Sequence, residues 1–297
     1  MIDQKLISLI KIVETGSYTK AAAELSLSQP AVSQHMHALE EDLNIKLFER
    51  ARGELKLTKE GRIVVKYARR MISVRNNMVQ ALENLKTKIT SLTVGITHTA
   101  ASNAIVEALA AYANSDDVGM TIRIHTDTTE NLTAMLHNFE LDFAIIEGRN
   151  AGPKFNYMLL DTDCLILAVP PTHRLADKSM ITIAELHKEK LILRRPRSDT
   201  RSLFEAALET HNMHIGEFNI VMEIDNIATI KDLIRREMGV SVLPKSACMD
   251  EIGKRKLVAL SIENLSMTRE TNIVYSDDFE HTEFLQDLVK QYNAMRR

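Results

Sequence analysis

The chain of 297 residues holds only two cysteines, Cys164 and Cys248. Their separation offers neither metal-ligand spacing nor a disulfide framework, and both read as buried small apolar side chains. No apolar run approaches the roughly 20 residues that a membrane span requires. The opening stretch, MIDQKLISLIKIVE, breaks its apolar residues with charges and has no small-residue cleavage site, so no secretory signal is expected. The catalytic signatures G-x-S-x-G, G-x-x-x-x-G-K and H-E-x-x-H are missing as well. These absences predict a cytoplasmic protein without membrane attachment, metal or cofactor, and not an enzyme. What is present, 45% hydrophobic and 26% charged residues, is the composition of an ordinary globular chain long enough for two or three domains.

The net charge of −3 conceals an asymmetry. Residues 1–90 carry 15 Lys/Arg against 10 Asp/Glu, and residues 91–297 carry 22 against 30. Within 61–90 stand Arg62, Lys66, Arg69, Arg70, Arg75, Lys86 and Lys88, opposed by Glu83 alone. A basic first third on an acidic body suits a chain whose one end meets a polyanion.

The pattern of the first ninety residues sharpens that reading. Leu6, Leu9, Ile10 and Val13 recur at helical spacing until Gly16-Ser17. Thr19 is positioned to cap a second helix over Lys20–Leu25, and Ser26-Leu27-Ser28 is a tight turn. Ser28 then caps a third helix with Pro30 in its first turn, where a missing N–H is harmless. Val32, Met36, Leu39 and Leu43 form a stripe on that helix, while Gln29, Pro30, Ser33, Gln34 and His37 face away from it. Helix, short turn and helix with a polar outer N-terminus is the geometry of a helix-turn-helix reader. Gln can bond adenine edges, Ser either base type, and the Pro30 ring or the Ala31 methyl can touch a thymine methyl. Leu47-Phe48 and Leu55-Lys56-Leu57 are strand-like around Arg50-Ala51-Arg52-Gly53, a hairpin wing with Arg50 and Arg52 set for phosphates.

Residues 16–61, GSYTKAAAELSLSQPAVSQHMHALEEDLNIKLFERARGELKLTKEG, resemble the winged helix-turn-helix of LysR-type transcriptional regulators. Gly16-Ser17, Ala21-Ala22, Leu25, Ser28 to Ser33, Leu39-Glu40, Leu47-Phe48, Arg50, Leu57-Thr58 and Gly61 carry the match. Gln34, His37 and Ala38 stand where that family often has Arg or Lys, and Asn44 where it usually has Gly. Non-specific affinity is therefore expected to rest on the wing and on the helix after it.

That next helix is predicted from Thr58, its cap, to about residue 88. Val64, Tyr67, Met71, Val74, Met78, Ala81 and Leu85 alternate at spacings of three and four, a heptad seam. So small a domain cannot cover so long a helix, which points to a second subunit. The resemblance implies the family's long dimerising linker here, and a dimer places two reading helices on two half-sites.

After residue 90, short apolar strands alternate with helices, a pattern that predicts parallel α/β sheets. The resemblance implies an effector domain like a periplasmic binding protein, two α/β lobes joined by crossing strands near 159–164 and 264–269. The expected organisation is a winged helix-turn-helix over 1–58, a linker helix over 59–90, and an effector domain over 91–297. Lobe I then takes 91–161 with 268–297, and lobe II takes 162–267. GVSVLP at 239–244 matches the family's closing strand, although Glu237 replaces a usual Gly.

Ligands of such folds sit beyond the strand ends, where helix N-termini present free N–H groups. Thr97 and Thr99 follow the first strand, Thr128 and Thr129 precede a helix, and Ser198, Thr200 and Arg201 open another. Each hydroxyl alone is an ordinary cap; together, from both lobes, they suit a small anion. THT at 97–99 is similar to the first binding turn of the family's sulfur-responsive branch, but Ala100 replaces that branch's Gln ligand. The pairs His35/His37 and His211/His214 lack the further ligands of a metal site. The expected function is a ligand-responsive regulator that binds double-stranded DNA as a homodimer or homotetramer, responds to a small-molecule effector and contacts RNA polymerase. The alternative is an α/β solute-binding or enzymatic protein whose N-terminal helices only oligomerise it.

Overall fold

The computed structural model describes residues 3–51, 54–87, 90–102, 104–114 and 119–295. Two compact units emerge, one of Met1–Ile89 with His137–Glu140 and one of Thr90–Leu136 with Leu141–Arg297.

In the first unit, helix α1 (Gln4–Thr15) begins on an Asp3 cap and ends at Gly16, whose φ of 65° is left-handed. Helix α2 spans Tyr18–Glu24, and its cap is Ser17, not Thr19: the Ser17 hydroxyl accepts the Lys20 N–H. Helix α3 (Gln29–Leu43) starts as its residues dictate, with Ser28 accepting the Ala31 N–H at 3.3 Å and Pro30 in the first turn. Val32, Met36 and Leu39 are buried with Leu9, Ile12, Ala21, Ala22 and Leu47 in one core. Leu43 falls off the predicted stripe and stays 46% exposed, because the helix stops at Asn44 in the left-handed region. Strands β1 (Phe48–Ala51) and β2 (Glu54–Leu57) pair antiparallel as the hairpin.

Thr58 accepts the Gly61 N–H at 2.8 Å at the start of helix α4 (Lys59–Thr87). Gly61 lies so close to β1 that a Cβ there would meet the Leu47 carbonyl oxygen at 2.1 Å. Val65 and Ala68 join the core, whereas Tyr67, Met71, Val74, Met78, Leu82 and Leu85 are 52–80% exposed. At 1.5 Å per residue, a helix of 29 residues is roughly 44 Å long, and its apolar seam lies on the surface. Among the described residues no helix is long and apolar enough to cross a membrane.

The second unit opens with β3 (Thr90–Thr97), α5 (Ile105–Ala113), β4 (Met120–Asp127), α6 (Thr129–His137) and β5 (Phe143–Glu147). Strands β4, β3 and β5 are parallel neighbours. The long β6 (Asn156–Val169) leads to β7 (Met180–Ile181), α7 (Ile183–Leu186), β8 (Leu191–Arg194) and α8 (Asp199–Glu209). There follow β9 (Ile220–Ile224), α9 (Ile227–Arg235), β10 (Ser241–Pro244), α10 (Met249–Gly253) and β11 (Val258–Ile262). The chain then returns through β12 (Thr268–Tyr275) to α11 (Thr282–Met295).

The sheets are mixed rather than parallel. Strand β12 runs antiparallel to both β5 and β6, and β10 and β11 run antiparallel to β6. In the second lobe β8–β9 and β7–β11 repeat the parallel pattern, with one parallel bridge between Leu191 and Val240. Strand β6 explains the difference. Its first half pairs with β12 beside lobe I, and its second half, Leu165–Val169, pairs with β10 and β11 in lobe II. Each lobe has its own core. Ile96, Ile105, Leu109, Phe143 and Leu288 fill lobe I, and Leu167, Val169, Leu193, Phe204 and Leu260 fill lobe II. Helix α9 ends on Glu237 at φ 60°, so the glutamate adopts the left-handed conformation that a Gly would take at less strain.

Candidate functional site

Two places concentrate polar side chains that the core does not use. On the first unit, Gln29, Pro30, Gln34 and His37 are exposed on the outer face of α3, with Ser33 half-buried beside them. Next to them a groove of about 1010 Å³ is lined by Gly16, Ser17, Tyr18, Gln29, Ser33, Glu40, Lys46, Phe48, Glu49 and Leu55. Its walls are therefore the start of α2, the start of α3 and the hairpin. Glu40 ties the last two together: its carboxylate accepts the Leu47 N–H at 2.8 Å and the Lys46 ammonium at 2.7 Å. Burial opposes ionisation of Glu40, but Lys46 and the Leu47 N–H outweigh it and hold the pKa below its ordinary value. Arg50 stands in β1 opposite Leu55, and Arg52 lies outside the described residues. His35 is not available to a shared site with His37, because its Nδ1 lies 2.7 Å from the Ser8 hydroxyl against α1. His211 likewise bonds the Asn264 carbonyl at 2.9 Å.

The second place lies in the second unit at the carboxyl ends of β3, β4 and β8. A cavity of about 520 Å³ is lined by Thr97, His98, Thr99, Asp127, Thr128, Arg194, Arg195, Pro196, Arg197, Ser198, Asp199 and Asp225. The strand ends and helix starts expected from sequence thus converge. Several hydroxyls are engaged as caps: Ser198 accepts the Arg201 N–H at 3.2 Å, and Thr128 accepts the Asn131 N–H at 3.3 Å. Thr97 accepts the Ala100 N–H and donates to Glu147 Oε1 at 2.9 Å. Two contacts join lobe I to α8. The Thr99 and Thr200 hydroxyls lie 3.5 Å apart, and Thr129 donates to Asp199 Oδ2 at 2.7 Å.

Arg201 departs from expectation. Its guanidinium is buried against Glu205 at 2.5 Å, Glu223 at 3.2 Å and the Arg194 carbonyl at 3.3 Å, and it does not line the cavity. Sequence placed it just after the cap; the helix turns its side chain toward Glu205, one turn on, and toward β9. Three other arginines, Arg194, Arg195 and Arg197, line the cavity instead. Arg195 is closed by Asp225 at 2.9 Å. Thr200 and Thr129 are buried beside the cavity rather than facing it openly.

Behind Thr97 lies a cluster that sequence reasoning missed. Glu147, at the end of β5, is 4% exposed, and Arg269 Nη2 from β12 stands 4.0 Å from its Oε1. Burial pushes the Glu147 pKa up; Arg269 works against that rise and Asp199 adds to it. Burial pushes the pKa of Arg194, 4% exposed at the end of β8, down; Asp225, Glu147 and Asp199 work against that fall and Arg269 adds to it. The only signal in the sequence was a charged residue closing an otherwise apolar strand, at Glu147 and again at Arg194.

Residues 4–62 match the family model described as a bacterial regulatory helix-turn-helix protein of the lysR family, and residues 87–296 match the LysR substrate binding domain. A RuBisCO operon transcriptional regulator of Allochromatium vinosum is 29% identical over 265 residues, covering 89% of this chain and 86% of the relative. A probable RuBisCO transcriptional regulator of Cyanidium caldarium is 28% identical over 270 residues, covering 89% and 84%. Among solved structures, CbnR, a LysR family transcriptional regulator, superposes with a TM-score of 0.69 at 18% identity over the whole of both chains. Full-length CbnR complexed with its target DNA gives 0.68 at 19% identity over 99% of each chain.

Proposed function

The chain belongs to the LysR family of bacterial helix-turn-helix transcriptional regulators, and from that premise we propose how its residues divide the work. Gln29, Pro30, Ser33, Gln34 and His37 read base edges in the major groove, and Arg50 and Arg52 hold phosphates. The observation that carries this reading is the exposed polar N-terminus of α3 above its buried Val32, Met36 and Leu39, beside the groove that Ser17 and the hairpin wall in. The match over residues 4–62 also favours a reader over helices that merely oligomerise an α/β protein.

Helix α4 pairs two subunits through Val64, Tyr67, Met71, Val74, Met78 and Leu85, and the paired chains form a dimer or a tetramer on the operator. A small anionic effector enters the cavity bounded by Thr97, Thr99, Thr128 and Ser198, with Thr129 and Thr200 as the hydroxyls that already link lobe I to α8. Drawing the lobes together shifts the population toward one lobe angle, which re-spaces the reading helices and alters DNA bend and contact with RNA polymerase. The test is a salt series of operator binding. Gln34→Ala should lose preference at one base position, whereas Arg50→Ala should weaken all sequences alike and flatten the salt slope. A change in base preference alone for Arg50→Ala would remove the hairpin from the phosphate role.

A further inference from the structure

The cluster behind Thr97 has more donors than its surroundings use. Arg194 Nε and Nη1 and Arg269 Nε, Nη1 and Nη2 are buried and find no hydrogen-bond acceptor within the protein. On the neighbouring strands β5 and β12 only Glu147 Oε2 and Asn272 Oδ1 are acceptors in the same condition. Buried polar groups are almost always satisfied, and a guanidinium makes its strongest bonds to carboxylate or phosphate oxygens. Arg194 is nine-tenths buried and lines the cavity, within sight of the first turn of α8, a helix of 11 residues. Of the other charges at the cavity, Arg195 is engaged with Asp225, Asp199 with Thr129, and Asp127 with Asn131 and the Thr128 N–H, while Arg197 stands exposed at the rim and only Arg194 is a buried cation.

We propose that Arg194 is the anion receptor of the cleft, taking the oxyanion head of a small phosphate ester or carboxylate, and that Glu147 is the resident carboxylate which that anion must displace electrostatically. The inference rests on the cleft being an effector site. Acceptor-rich oxygens supply what the unpaired guanidinium nitrogens need, and the planar fork of Arg194 receives two of them at once. Glu147, held by the Thr97 hydroxyl near Arg269, sits in the same field and repels an incoming anion. Arg194 therefore determines affinity for charge, and Glu147 sets its level.

The test is calorimetry on the full-length protein at pH 8 with glycerol 3-phosphate, succinate and sulfate as probes, and with glycerol as the uncharged control. An oxyanion probe should bind while glycerol does not, and the phosphate and carboxylate arms tell which head group is preferred. Arg194→Gln should weaken that probe at least tenfold, and Arg194→Lys should fall between. Glu147→Gln should tighten binding severalfold, a gain that a folding defect cannot imitate. Unchanged affinity in Arg194→Gln, weaker binding in Glu147→Gln, or no binding by any of the three anions would overturn the proposal. Selective retention of DNA by the same wild-type sample keeps the regulator reading separate: the anion assignment fails without it failing, and the reverse.

Discussion

Replacing Met71 by glutamate should separate the subunits and leave each of them folded. Met71 is 54% exposed in the centre of the α4 seam, between Tyr67 and Val74, so the single chain does not depend on it for packing. Complete burial of a methionine side chain contributes about 1.5–3 kcal/mol, which leaves about 1 kcal/mol or a little more per copy for a partner helix to gain. A carboxylate at the same point forfeits that gain and adds a desolvation penalty of about 1–2 kcal/mol per copy. With both subunits affected the loss is about 4–6 kcal/mol per dimer, or roughly three to four decades in Kd. Sedimentation velocity from nanomolar to tens of micromolar protein should show wild type staying associated and Met71→Glu dissociating within that range. Thermal unfolding of the dissociated chain should still show a cooperative transition, and Met71→Leu should behave as wild type. An unchanged particle mass across the range would mean that the seam is a solvated helix face and that any association uses another surface.

Gly61→Ala should destabilise the first unit by about 1–3 kcal/mol, because the added methyl runs into the Leu47 carbonyl; urea unfolding of the first unit measures it. Glu40→Gln should cost about 1–3 kcal/mol at neutral pH by weakening the tie between α3 and the hairpin. Since the folded pKa of Glu40 is lowered, its contribution is full above the ordinary value of 4.5 and fades as pH falls through the folded value. The difference between wild type and Glu40→Gln should therefore shrink in unfolding curves taken below pH 4.5. Cys248, fully buried with its thiol pushed up to about 12 by desolvation, should resist a thiol reagent at neutral pH in the folded protein and react once unfolded. Rapid native labelling of Cys248 would contradict that burial.

The reading helix was legible because each of its signals is local. Ser28, Pro30 and the spacing of Val32, Met36 and Leu39 act within a few residues of one another. Ser17 and Thr19 are both capable caps, and in the structure it is Ser17, in extended backbone, that caps the helix. Strand direction is another matter. Nothing in the residues of β10, β11 or β12 states that they run against β6, because pairing joins segments far apart in sequence. Short pieces such as β7 and α7 are below the length at which periodicity speaks. In the cleft, the helix starts were visible as Thr and Ser, yet Glu147, Arg194 and Arg269 were not. Each looks like the polar end of a strand, and only the fold of three separate strands makes them neighbours.

Whether α3 reads DNA sequence is tested most directly by selection of genomic fragments with the purified protein. A small set of fragments sharing a two-fold related motif should be enriched, with half-sites one helical turn or a multiple of it apart, and that enrichment should be lost in Gln29→Ala/Gln34→Ala. Uniform retention of all fragments, or enrichment undisturbed by the double substitution, would contradict it.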